Sequence, residues 1–263
     1  MTFADTSRRK LDLGRVFGDT FGVIRRQHVP LLAITAVGSL FSLVATYLSR
    51  RLLSGGAAPT GMAALAMAAH PTYWILNLVA WLFSAFILAC QLQIAIGDLE
   101  NHRLPMADIL RRSASKTLPI CGAMLLMVMG MIFGTFLLIV PGVILGLMWM
   151  VALPVIVTDT SNPLRALGRS RALTRGNRWR ILGLTILAWV VLVMIEAIVL
   201  GAVGGMTGGF YRTGETPNIW MLVLISLSTF VLYVVASAGS AALYVQLRDL
   251  KGGGGEHVAQ VFA

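Results

Sequence analysis

The chain has 263 residues, 57% of them hydrophobic and only 12% charged, and its mean hydropathy is +0.81, which excludes an ordinary soluble domain. Its formal charge of +10 would suit nucleic acid in a polar protein, so the position of the charge decides the partner. The two cysteines, Cys90 and Cys121, sit in apolar runs and point to buried thiols rather than a disulfide framework or a metal site.

The opening stretch, MTFADTSRRKLDLGRVFGDTFGVIRRQHVP, lacks a short apolar core followed by a cleavage site, so the first span is expected to be the anchor. At about 100° per residue, Leu13, Val16, Phe17, Thr20, Phe21, Val23 and Ile24 gather on one helical face. Arg15, Asp19, Arg25 and Arg26 lie on the other, a pattern that predicts a helix lying in the membrane interface. Crossing about 30 Å of hydrocarbon takes about 20 helical residues, and residues 30–49 and 73–97 supply two such runs. Residues 106–116 repeat the amphipathic pattern, with Met106, Ile109, Leu110 and Ala114 opposite Asp108, Arg111, Arg112 and Ser115.

Residues 119–158 are apolar throughout, but a single helix of that length would measure about 60 Å, twice the membrane thickness. Two spans are predicted, reversing at Pro141–Gly142, where proline restrains its predecessor and glycine admits a tight turn; a re-entrant hairpin is the alternative. Asn162 and Pro163 form a cap and first-turn pair. They open a third amphipathic helix with Ala166, Leu167, Ser170, Leu173 and Thr174 opposite Arg165, Arg169, Arg171 and Arg175, and Leu164 out of pattern. Spans at 181–205 and 219–247 follow. The expected fold is therefore all-α: one domain over residues 1–251 with six transmembrane helices and three interfacial ones, arranged as three parallel units, and a flexible tail at 252–263.

With the N-terminus inside, the cytoplasmic segments hold eighteen lysines and arginines and the external connections three: Arg50, Arg51 and Arg212. That bias places both termini in the cytoplasm. The basic stretches precede spans, where arginines meet anionic lipid headgroups. Arg15, Arg25, Arg26, Arg111, Arg112, Arg165, Arg169, Arg171 and Arg175 are the expected headgroup contacts. Membrane lipid, and a membrane-protein partner, are expected; nucleic acid is not, because no aromatic-interleaved groove or base-reading motif accompanies the charge.

Glu196 lies about 22 Å along its span, where an ionisable group is a functional candidate. Asn77, Ser84, Gln91 and Asp98 recur every seven residues; Thr35, Ser39, Ser42 and Thr46 form a similar stripe in the first span, and Ser226, Thr229, Tyr233, Ser237, Ser240 and Tyr244 one in the last. Converging on Glu196 they would line a polar path; as interhelical contacts they would be glue. The pairs Gly130 with Gly134, Gly142 with Gly146 and Gly201 with Gly205 predict close helix packing. No HExxH, GxSxG or phosphate-cradling glycine loop occurs, so neither catalytic residues nor a cofactor or metal are expected.

The blocks LLIVPGVILGLMWMVALPVIV (137–157), NPLRALGRSRALTRGNRWRILGL (162–184) and AALYVQLRDLKGG (241–253), in this order, resemble a bacterial six-span inner-membrane family. It comprises the membrane domain of glycerophosphoryl diester phosphodiesterases and the related YciC-like proteins. The resemblance implies the fold and the location. In fused members a soluble domain supplies catalysis, and the chain beyond residue 251 is too short to house one, so no catalytic residue carries over. The expectation is a non-catalytic membrane protein that organises lipid or supports a partner; the alternative is a small transporter or lipid translocator using Glu196 and the polar stripes.

Overall fold

A computed structural model describes residues 11–54, 61–137, 139–206 and 231–251. Within them the chain forms helices α1 (Leu13–Arg26), α2 (His28–Ser54), α3 (Met62–Ala69), α4 (Pro71–Leu99), α5 (Met106–Leu137), α6 (Ile139–Trp149), α7 (Ala152–Thr158), α8 (Pro163–Thr174) and α9 (Arg178–Met206). A last helix, α10, runs over Val231–Lys251. No strand occurs among the described residues, and six helical segments are long and apolar enough to cross a membrane. The protein is an all-α, six-span membrane protein. Ser226, Thr229, Arg212 and the tail at 252–263 lie outside the described residues.

Local chemistry sets the helix ends. The Asp12 carboxylate accepts from the amides of Gly14 and Arg15 and starts α1; the Asn162 side chain does the same for Leu164 and Arg165 ahead of Pro163, starting α8. Helix α4 ends in a Schellman turn: the His102 amide reaches the Gly97 carbonyl at 2.8 Å, with Asn101 in the left-handed region at φ 55°. A Cβ on Gly97 would sit 2.9 Å from the His102 carbonyl oxygen, so this close approach requires glycine.

Three expectations need correction. Residues 106–116 are not a separate in-plane helix: they are the first turns of α5, which continues through Pro119 for 32 residues, about 48 Å. Proline removes one hydrogen bond, but in hydrocarbon the remaining backbone groups must still pair within the helix, so the helix persists. The reversal that follows comes earlier than Pro141–Gly142, because α5 ends at Leu137 and α6 starts at Ile139, with Pro141 in the first turn of α6, where its missing N–H costs nothing. Finally, the apolar face of α8 and part of that of α1 are covered by the protein itself, while Phe21 of α1 stays 60% exposed. Val16, Thr20 and Val23 of α1 are buried, as are all five predicted positions of α8. The Ser170 hydroxyl donates to the Met148 carbonyl at 2.7 Å, while Leu164 is 69% exposed. A bundle of tilted spans offers these short helices a shelf with polar partners that lipid tails lack.

Packing is closest where side chains are small. Helices α5 and α6–α7 pack as an antiparallel pair of spans. Gly130 faces the Trp149 ring, and a Cβ on Gly134 would lie 3.1 Å from the Gly142 Cα. A Cβ on Gly201 would meet nothing within 4 Å among the described residues. Between α2 and α4 a Cβ on Gly38 would come within 3.1 Å of Ile87, a contact that spacing alone did not indicate.

Candidate functional site

The chemistry of the molecule collects at one end of the bundle, where α1 and α8 sit and where α4, α7 and α10 finish. At its centre is Asp98, whose side chain is 1% exposed. Its carboxylate accepts from Arg26 Nε at 2.7 Å, Gln27 Nε2 at 2.8 Å and Arg103 Nη2 at 2.9 Å. The Schellman turn after α4 sends the chain back far enough for Arg103 to reach it. Charged hydrogen bonds from three donors compensate the loss of hydration that burial imposes on a carboxylate.

A second knot ties α7, α8 and α10 together. The Tyr244 hydroxyl donates to Asp159 at 2.7 Å and accepts from Thr158 at 2.8 Å. Asp159 also faces Arg169 Nε at 3.5 Å. Arg248 stacks 5.6 Å from the centre of the Tyr244 ring and pairs with Glu100, linking α10 to the end of α4. Gln246 donates to Asp19 of α1 at 3.3 Å, and Arg180 Nη1 donates to the Leu11 carbonyl at 2.8 Å. Deeper in the bundle, Gln91 Nε2 meets Thr35 Oγ1 at 2.7 Å between α2 and α4, and Gln93 meets Ser113 at 2.9 Å between α4 and α5.

These bonds divide the nine arginines singled out by sequence. Arg26 and Arg169 are engaged by Asp98 and Asp159, and Arg15 lies 3.9 Å from Asp19. Arg25, Arg111, Arg112, Arg165, Arg171 and Arg175 are exposed and form no ion pair among the described residues. Asp98 and Asp159 are thus occupied by Arg26, Arg103 and Arg169, and these six arginines face outward.

The polar stripes separate by depth. Asn77 and Ser84 are exposed and bond to the carbonyls of Tyr73 and Trp81 in their own helix. Gln91 and Asp98 are buried. Thr35 is buried, whereas Ser42 and Thr46 are exposed; in α10 Ser237 and Tyr244 are buried and Tyr233 is exposed. Glu196 is half-buried on α9, which packs on α6. Cys90 and Cys121 are buried free thiols. Among the described residues no group of three histidine, cysteine or acidic side chains is placed to hold a metal ion. Sequence reasoning did not single out Asp159, Glu100 or Arg248 as partners; their only signal was position, polar residues one turn from the end of a span.

No curated protein and no solved structure matches the chain. The family model for the membrane domain of glycerophosphoryl diester phosphodiesterase matches residues 120–254, from α5 through α10, just over half of the chain, and includes the second knot in full except for Glu100. The six-span helical fold and this match together place the chain in the family of glycerophosphoryl diester phosphodiesterase membrane domains.

Proposed function

We propose that this membrane domain is a non-catalytic, lipid-supporting protein of the bacterial inner membrane, with both termini cytoplasmic. Its basic end holds anionic headgroups, organising lipid or presenting it to a membrane-protein partner. The observation that supports this reading is the segregation just described: carboxylates take up Arg26, Arg103, Arg169 and Arg248, while six exposed arginines face outward at the same end. Guanidinium groups at that depth meet lipid phosphates with charge-assisted hydrogen bonds, each worth about 1 kcal/mol near an anionic surface.

The test is reconstitution into vesicles of zwitterionic lipid with increasing fractions of phosphatidylglycerol, followed by thermal unfolding. Stability is expected to rise with anionic lipid and to fall back in high salt. Arg111→Ala, Arg112→Ala and Arg165→Ala together are expected to remove about 3 kcal/mol of that rise at low salt. A midpoint indifferent to lipid charge overturns the proposal.

A further inference from the structure

The six exposed arginines are a diffuse surface, but three cations are brought together by tertiary structure. Lys251, at the end of α10, donates from Nζ to the Ala172 carbonyl of α8. There it lies in the electrostatic field of Arg175 and Arg169. Arg175 caps α8 and is followed by Gly176 at φ 94°, where a Cβ would meet nothing within 4 Å among the described residues. Glycine at this left-handed position lets the chain turn away from the end of α8. Like charges do not gather without compensation. The carboxylate beside Arg169 is Asp159, which also accepts from Tyr244. Neither Arg175 nor Lys251 forms an ion pair among the described residues, and Asp249, two residues from Lys251, is exposed and forms none either.

The C-terminal carbonyls of α8 explain why one cation is favoured there. They do not account for three arriving from two helices. A phosphate group does: its oxygens accept from several directions at once, whereas a carboxylate offers a single plane, and two guanidinium forks with one ammonium match the former. Four residues beyond Arg175, Trp179 is 85% exposed, the side chain that settles at the headgroup level.

We infer that Arg169, Arg175 and Lys251 form a phosphate-binding cradle that fastens α8 to the end of α10, with the phosphate of an anionic lipid headgroup as ligand. This rests on the lipid-supporting reading and sharpens it from a charged surface to one saturable site.

The full chain in neutral detergent is titrated at constant ionic strength with dihexanoyl phosphatidylglycerol, with inorganic phosphate and with dihexanoyl phosphatidylcholine, and the unfolding midpoint is followed. A saturable rise with the anionic lipid is expected. Its apparent affinity should fall about tenfold in Arg175→Gln and again in Lys251→Gln, the loss of one charged hydrogen bond each, and stay unchanged in Arg51→Gln, an exposed arginine in the last turn of α2. Arg175 is exposed, so its variant remains informative if Lys251→Gln loosens α10. An equal, Arg175-dependent response to inorganic phosphate supports the cradle and assigns it a soluble source. A saturable rise that survives in Arg175→Gln and Lys251→Gln overturns the cradle and leaves the lipid-supporting reading standing. Phosphate binding that depends on Arg175, without any effect of vesicle charge, does the reverse; no response to any anion sinks both.

Discussion

The two halves of the bundle are held by different forces. Along α4, the stretch from Ala85 to Asp98 is almost continuously buried, whereas Trp74, Ile75, Leu78 and Val79, three turns earlier, are exposed. Helix α10 is buried at Val234, Ser237, Ala238 and from Ala241 to Tyr244, whereas α9 exposes large side chains from Ile186 to Ile198. The buried half carries the hydrogen bonds of Asp98, Asp159, Gln91 and Gln93; the other half presents leucine, valine and isoleucine outward. In hydrocarbon, apolar contact between helices brings no hydrophobic gain over contact with lipid. Helices therefore stay together where polar groups need one another or where small residues permit close approach, and they separate elsewhere. The α5–α6 pair, with Gly130, Gly134 and Gly142 at its contact, is the second case.

If this division is right, the largest single loss should come from the polar half. Asp98→Ala leaves Arg26, Gln27 and Arg103 without their acceptor. Because both arginines are half-exposed and can turn to solvent, a loss of about 2–3 kcal/mol is expected, read as a lower unfolding midpoint in detergent and faster proteolysis after α4. A smaller effect belongs to the glycine contact: Gly130→Val drives a side chain into the Trp149 ring and should cost about 1–3 kcal/mol, with cysteine cross-linking between α5 and α6 reduced while the Asp98 cluster stays intact. The smallest is Gln91→Leu, which removes the bond to Thr35 and should cost about 0.6 kcal/mol. Ser84→Ala, on the exposed side of the same stripe, should be neutral in the same assay. A larger penalty for Ser84→Ala than for Gln91→Leu would erase the distinction between the halves.

Sequence carried the spans and much of the helix chemistry. Length and hydropathy gave the number of helices able to cross a membrane, six, and Asn162–Pro163 marked the start of α8. The five positions assigned to the apolar face of α8 are the five that are buried. What periodicity cannot say is which solvent a face meets: Ala166 and Leu173 read the same whether lipid or protein covers them. Nor can it say that Pro119 is carried inside a long helix, because the cost of a lost hydrogen bond depends on whether water is near to replace it. The seven-residue stripe of Asn77, Ser84, Gln91 and Asp98 was correctly periodic, yet its members meet different surroundings because the packing loosens along α4. The Asp98 and Asp159 clusters depend on contacts between residues 71 to 85 positions apart, and those arise only once the spans are assembled.

The docking of α1 has a consequence for biogenesis. Its surroundings include the Arg180 guanidinium on the Leu11 carbonyl and the Gln246 amide on Asp19, contacts that span 169 and 227 residues. Of the described helices, α1 is made before α9 and α10, so its seat is complete only once they arrive, and in the interval part of its apolar face needs another host. A nascent chain halted before α10 is expected to keep α1 accessible to a water-soluble label that the finished protein excludes.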